Sequence, residues 1–392
     1  MQQSYGPRPQ LLGPFLPRTW EEARQAYAWF AKMREQAPVY CDEKTHIWHV
    51  FRYEDVKQVI TDYNSFSSRI MGSVTPLMED TLVATDPPDH RKLRNLVNQA
   101  FTPRAVAHRT ELIRQITQEQ LDAVKPQGRM DVVSDLAFPL PAKVIADMLG
   151  VPPEDWDIFR RWAGTDLSTP QQGEGQATRI EMSEYLAHLL VERRRDPRDD
   201  LVSALSVAEV DGERLSEQEL INFCFLLLAA GQETTKNLLA NSILLLTEYP
   251  DAMAQLVREP ALIPSAIEEV LRYLSPAWMV LRQARTNVDL RGQHIPANSL
   301  VMPWIASANH DEAVFPDPER FDIRREPKQH IAFGHGIHFC IGAPLARLET
   351  QVALPMILAQ LHDLQRVKDI QIGVHVSLVF MVNALPVTFR AE

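Results

Sequence analysis

Between Ser216 and Pro250 the chain runs without a proline and with apolar residues on almost every side. Ser216 and Glu219 form a capping box, the serine accepting from the N3 amide while the glutamate reaches back to the cap amide. Pro250 closes the segment, since it lacks an N–H and restricts Tyr249. At 1.5 Å rise per residue such a helix is roughly 50 Å long, enough to cross a whole domain. Its middle, FCFLLLAA from Phe223 to Ala230, has no polar face and must be buried. A chain that buries so long a helix has to build a helical body around it.

The rest of the sequence agrees. Helical periodicity covers Trp20 to Ala37, Pro88 to Gln99, Pro103 to Val124, Leu140 to Leu149, Ala177 to Arg195 and Ala343 to Leu361. The 28 prolines outnumber the 15 glycines, which favours firm helix stops over flexible joints. Alternation is confined to short pieces. Val39 to Phe51 reads as a hairpin around Asp42–Thr45. Val280 to Trp304 holds several short strands with turns at Arg291–Gly292 and Pro296–Asn298, and Val374 to Phe389 ends in a β pair. The expected fold class is mostly α with minor β. Residues 1–392 form one domain, with a small β subdomain from about 38–51, 280–304 and 374–390.

Composition narrows the function. Forty basic residues against 51 acidic ones leave a net charge of −11, which disfavours a nucleic-acid binder. Cys41, Cys224 and Cys340 are few and far apart, so a disulfide framework is not expected and a reducing compartment is. Met1 to Trp20 carries four prolines and no apolar core of a secretory signal. No apolar run approaches the roughly 18 residues of a membrane span. A cytoplasmic protein with no membrane or nucleic-acid partner is expected.

The central helix has a polar defect. Ala230-Gly231-Gln232-Glu233-Thr234-Thr235 sets a glycine, a carboxylate and two hydroxyls in mid-helix before the apolar pattern returns at Leu238. A glycine there costs about 1 kcal/mol relative to alanine. A buried carboxylate costs more unless it is paired. Local rules fail most often where function requires it. The expectation is a helix distorted at Gly231, with Glu233 and Thr234 facing a cavity as a proton relay.

A second special segment is His330 to Arg347, HIAFGHGIHFCIGAPLAR. Cys340 lies among Gly334, Gly336 and Gly342, just ahead of a helix with Pro344 in its first turn. The helix dipole and free amides there stabilise a thiolate, and the glycines allow backbone to approach a bulky group. Three chemistries remain open for Cys340: a zinc site with His335, His338 and perhaps His330, a nucleophile, or an axial ligand to haem iron.

Phe333-Gly334-x-Gly336-x-His338-x-Cys340-x-Gly342 resembles the haem-binding signature of the cytochrome P450 haem-thiolate monooxygenases. Ala230-Gly231-x-Glu233-Thr234-Thr235 resembles their oxygen-activation motif. Glu269-x-x-Arg272 resembles their ExxR motif, and Asn309 to Phe321 their meander. Asp86-Pro87-Pro88-Asp89-His90-x-x-x-Arg94 matches as well. The resemblance implies the P450 fold with haem b between helices and Cys340 as the axial ligand. Phe333, Gly334, Gly342, Ala230 and Gly231 would lie against the haem. His90, Arg94, Arg282 and His338 would meet its propionates, and Glu269 and Arg272 would lock the meander. Glu233 and Thr234 would deliver protons to dioxygen.

By the same resemblance a hydrophobic substrate, such as a steroid, terpenoid, fatty acid or macrolide, would be held by Ile70, Met71, Val74, Leu77, Met78, Leu82, Trp278, Met279, Val280, Phe380 and Met381. Phe66 to Thr85 and Thr169 to Gln176 read as covers of such a pocket. No flavin or iron–sulfur motif is evident, so electrons must come from a separate ferredoxin or flavodoxin with its reductase. From His90 to Arg114 six Lys or Arg face one acid, which makes Arg91, Lys92, Arg104 and Arg109 candidates for docking an acidic donor. A monomer is expected. A peroxide-driven peroxygenase and a non-catalytic haem sensor are the alternatives.

Overall fold

In a computed structural model of the chain, residues 16–70, 81–165, 174–210, 212–326 and 329–391 are described. The first part holds α1 (Trp20–Gln36), β1 (Val39–Cys41), β2 (Trp48–Val50), α2 (Tyr53–Thr61), β3 (Phe66–Ser67), α3 (Asp89–Ala100), α4 (Pro103–Ala107) and α5 (Thr110–Val124). Next come β4 (Arg129–Asp131), α6 (Pro139–Met148), α7 (Trp156–Ala163), α8 (Glu174–Arg195), α9 (Leu201–Val207) and α10 (Glu217–Glu248). The chain continues through α11 (Pro250–Arg258), α12 (Ile263–Tyr273), β5 (Arg282–Ala284), β6 (Val288–Leu290), β7 (Gln293–Ile295), β8 (Leu300–Pro303) and α13 (Ile305–Ala308). It closes with α14 (Ala343–Gln360), β9 (Leu361–Arg366), β10 (Val374–Val376), β11 (Phe380–Val382) and β12 (Pro386–Ala391). The fold is mostly α with minor β, as the periodicity indicates.

Helix α10 runs through the helical body, packed against α6, α8, α12 and α14. Its capping box is formed, Ser216 Oγ accepting from the Glu219 amide at 3.2 Å and Glu219 Oε2 from the Ser216 amide at 2.7 Å. The helix is continuous across Gly231, so the expected distortion is not there. Gly231 instead serves packing. A Cβ at this position would lie 2.8 Å from Ile145 Cδ1 of α6, so any larger residue would push the end of that side chain aside.

One expectation about boundaries needs correction. Pro103 to Val124 is not one helix but α4 and α5, because the chain turns at His108–Arg109. The short strands near both ends of the sequence belong to separate sheets. β1, β2, β8, β5 and β3 form a five-stranded sheet, β10 pairs with β11, and β12 lies between β4 and β9. The turn at Arg291–Gly292 is present, with positive φ at both residues.

Candidate active site

A cavity of about 700 Å³ lies between α10 and the loop carrying Cys340. From α10 it receives Phe223, Leu226, Leu227, Ala230, Gly231, Thr234, Thr235 and Leu238. The other side supplies Phe333, Gly334, His338, Cys340 and Gly342. The two segments singled out by sequence are thus brought to one space.

The cysteine loop is shaped by its own backbone. Gly334 and Gly336 have φ of 73° and 71°, and a Cβ on Gly336 would press on Thr61 Cγ2 at 3.1 Å. The Cys340 amide donates to Phe333 O at 2.9 Å and closes the loop. Gly342 then caps α14, so the thiol sits at the helix N-terminus. Burial pushes the Cys340 thiol up. The Gly342 amide, the Arg94 charge, the Ala343 amide and the Arg347 charge pull the other way, each favouring the thiolate.

At one edge of the cavity four cationic or basic side chains converge. His90 and Arg94 come from α3, Arg282 from β5 and His338 from the cysteine loop. The His90 and His338 rings are 4.3 Å apart, and His338 Nε2 is 2.9 Å from Ser68 Oγ. Burial, followed by the Arg282 and His90 charges, pushes the His338 imidazole down to about 3, so it is neutral. Burial also lowers Arg282 to about 10. Arg282 donates to the Leu281 carbonyl at 2.8 Å and, among the described residues, has no carboxylate in contact. His90 Nε2 is buried without a hydrogen-bond partner among the described residues. Asp86 is the nearby acid, but Ser67 Oγ, the Ser68 amide and Arg285 already hold it. One buried and one half-buried guanidinium and an orphaned imidazole nitrogen at the rim of an apolar slot fit a group that carries carboxylates at one edge.

The ExxR pair is fully buried. Arg272 donates from Nε and Nη2 to the two Glu269 oxygens at 2.8 Å each and from Nη1 to Asn309 O at 3.0 Å. Glu269 also accepts from the Asp322 amide and from Arg325 Nε. Asn309 Oδ1 then takes the Ile331 amide at 2.9 Å, which carries the restraint into the start of the cysteine loop. The His330 and His338 rings serve different partners, Glu268 and Ser68, and no group of described residues converges as a metal-ligating set, so the zinc reading of this loop finds no support.

Other expectations are corrected. Thr234 faces the cavity, its hydroxyl donating to Ala230 O at 2.6 Å, but Glu233 does not line it. The Glu233 carboxylate is held by Lys236 Nζ at 2.6 Å and Asn237 Nδ2 at 3.1 Å on the helix itself. Ile70, Leu82 and Val280 line the cavity, whereas Trp278, Met279 and Phe380 are packed in the core. Trp278 stacks on Phe380 at 5.1 Å, and Pro276, Ala277 and Leu378 form the wall in their place. Met381 is half-buried in β11 and is not part of the wall. Met71, Val74, Leu77 and Met78 lie outside the described residues. In the basic segment, Lys92 is bound to Glu213 and Arg109 to Asp147, while Arg91 and Arg104 are exposed.

Sequence reasoning missed Ile145, Leu378, Lys236 and Glu268. Glu268 precedes Glu269 and faces the other way, and nothing in two adjacent acids tells which one turns inward. The Lys236–Glu233 pair was legible as an i, i+3 spacing.

The family described as Cytochrome P450 matches residues 153–379. The cyclomarin C epoxidase CymV of Salinispora arenicola is 41% identical over 345 residues, covering 84% of this chain and 87% of that protein. The structure of CYP109Q5 from Chondromyces apiculatus superposes with a TM-score of 0.89 at 42% identity, covering 95% of this chain and 97% of that one. CYP109E1 from Bacillus megaterium in complex with testosterone gives a TM-score of 0.87 at 38% identity, covering 92% and 98%. This fold implies haem b, whose propionates suit the cationic rim of Arg94, Arg282, His90 and His338 and whose plane suits the apolar slot beside Cys340. The chain belongs to the cytochrome P450 family and is one of its monooxygenases.

Proposed function

We propose that this enzyme, acting as one catalytic unit, hydroxylates or epoxidises a hydrophobic small molecule in the cavity beside Cys340. Its electrons come from a separate ferredoxin or flavodoxin. One observation carries the reading: Cys340, the cationic rim and Thr234 share one cavity whose remaining wall is mostly apolar.

When bound, haem supplies dioxygen activation with two electrons and two protons, one oxygen atom entering the substrate and the other leaving as water. Cys340 would hold the haem through sulfur, with the Gly342 and Ala343 amides and the Arg94 and Arg347 charges favouring the thiolate against burial. Arg94, Arg282, His90 and His338 would hold its propionates. Thr234 spends its proton on Ala230 O, which leaves its oxygen lone pairs to hold a water or a proton in the cavity. Glu233 takes part only after leaving Lys236, and then passes protons inward along α10. Ile70, Leu82, Val83, Leu226, Ala277, Val280 and Leu378 exclude water and select substrate by shape. Steroids, terpenoids, fatty acids and macrolides all suit such a wall, and the testosterone complex of a relative favours testing steroids first. Arg91 and Arg104 carry the attraction for an acidic electron donor, because Lys92 and Arg109 are already paired.

The test is spectral and chemical. Cys340→His should abolish the thiolate-type reduced carbon monoxide band while haem still binds; a retained band would overturn the ligand assignment. Thr234→Ala should divert electrons to peroxide and water while the band survives. Coupling equal to that of the parent enzyme would remove Thr234 from the relay.

A further inference from the structure

Beside the cysteine loop, adjoining the cavity at Phe333, Gly334, His335 and Phe339, lies a surface depression of about 640 Å³ with Tyr53 and Lys57 on its sides. Glu268, His330, Phe333 and Arg347 also line it. Glu268 Oε1 accepts from Arg347 Nε at 2.6 Å, and Oε2 accepts from Arg347 Nη2 at 2.8 Å. His330 Nε2 lies 2.9 Å from the same Oε2. His330 Nδ1 accepts from the Ala332 amide, so the neutral ring carries its proton on Nε2 and donates it to Glu268. The Arg347 guanidinium lies 4.4 Å from the centroid of Phe333.

These partners come from both sides of Cys340. His330 and Phe333 precede it, and Arg347 follows it on the first turns of α14. One carboxylate on α12 therefore holds both stems of the loop. The bidentate fork fixes Arg347 in orientation as well as position. Arg347 in turn presses its flat face on Phe333, whose carbonyl receives the Cys340 amide. Residues 268 and 269 divide the work: Glu269 faces inward to the meander, and Glu268 faces outward to the cysteine loop.

We propose that Glu268 is a positioning residue for Cys340, clamping both stems of its loop through His330 and the Arg347–Phe333 stack and balancing the Arg347 charge beside the thiolate. The clamp fixes where the sulfur sits. The balance sets how much positive charge the sulfur feels. Both effects rest on Cys340 being the haem ligand, as proposed above.

Glu268→Gln and Glu268→Ala separate the two roles, with Arg347→Lys as a third variant and the haem-loaded parent enzyme as reference. The amide of Glu268→Gln keeps one oxygen to accept from Arg347 and loses the other, so it loosens the loop less than Glu268→Ala does. It removes a negative charge, so electron uptake becomes easier and the haem reduction potential should rise. Glu268→Ala should release the loop. Under mild urea, it should lose the thiolate-type reduced carbon monoxide band severalfold faster than the parent. Arg347→Lys keeps the charge and loses the fork, so its band should be labile while its potential moves less than in Glu268→Gln. Variants that merely melt earlier, with the parent's potential and band lifetime, would overturn the proposal. A parent enzyme with no thiolate-type band at all would instead overturn the ligand assignment, so the two failures are distinguishable.

Discussion

The two sides of the cavity are built by different physics. The side that carries Cys340 is held by directional bonds, charge-assisted from Arg272 to Glu269 and from Arg347 and His330 to Glu268, and neutral from the Ile331 amide to Asn309. The opposite side is an apolar wall lined by Ile70, Leu82, Leu226, Ala277 and Leu378. Removing one partner of a buried charge network leaves an uncompensated group, whereas trimming an apolar wall changes its shape. Chemistry that needs one fixed sulfur is therefore separated from recognition that must suit one particular substrate.

The sharpest way to break this contrast is Glu269→Gln. Glu269 and Arg272 are both fully buried, and the variant leaves the guanidinium without its anion. Loss of such a partner costs about 3–5 kcal/mol. Urea denaturation should show a loss of that size together with poor haem retention. A loss under about 1 kcal/mol would mean that packing, not charge, holds this side.

Glu268→Gln should cost less, about 1.5–3 kcal/mol for weakened charge-assisted bonds, and its cost should depend on pH. Burial alone would raise the Glu268 carboxyl, but Arg347 and His330 overcome it and bring the group from 4.5 down to about 2. A folded value below the unfolded one gives stability that is complete above 4.5 and lost as pH falls through about 2. The gap between parent and variant should thus be constant near neutrality and shrink in acid. A gap that is flat down to pH 3 would contradict the ion pairing.

Gly231→Ala tests the join between the two sides. The new methyl would meet Ile145 Cδ1 at 2.8 Å, an overlap of the kind that costs about 1–3 kcal/mol. Ile145→Val should relieve part of it, which a double-mutant cycle would report as coupling. Additive losses would show that Gly231 has another reason to be glycine.

How far each region was legible follows the same division. Cys340, Gly334, Gly336, Glu269 and Arg272 have few chemical substitutes, since a left-handed φ or a bidentate fork names its residue, and the sequence pointed to all five. The α10 cap was readable because Ser216 and Glu219 satisfy each other locally. The direction of a side chain on a helix was not. Glu233 was expected in the cavity, but Lys236 one turn on captures it, and that competition is decided by rotamers. Trp278 and Phe380 were expected in the wall, yet large aromatics gain more by stacking in the core, so Ala277 and Leu378 face the cavity instead. Pairing of the last strand with β4 and β9 is a contact across the whole chain that short β segments do not announce.

The smallest effect on stability should come from the side where specificity is largest. Leu378 lines the cavity and remains 40% exposed, so its side chain has little packing to lose. Its backbone does the structural work, the Leu378 carbonyl accepting from the Trp278 amide at 3.0 Å. Leu378→Phe keeps that bond and adds bulk at the wall. Unfolding free energy should stay within about 0.5 kcal/mol of the parent. Spectral titration with a panel of steroids, terpenoids and fatty acids should nevertheless reorder, some ligands changing affinity about tenfold, which corresponds to about 1.4 kcal/mol. An unchanged order would mean that Leu378 borders the mouth without touching substrate. A large loss of stability would mean that this wall, too, is held by specific packing, and the contrast between the two sides would fail.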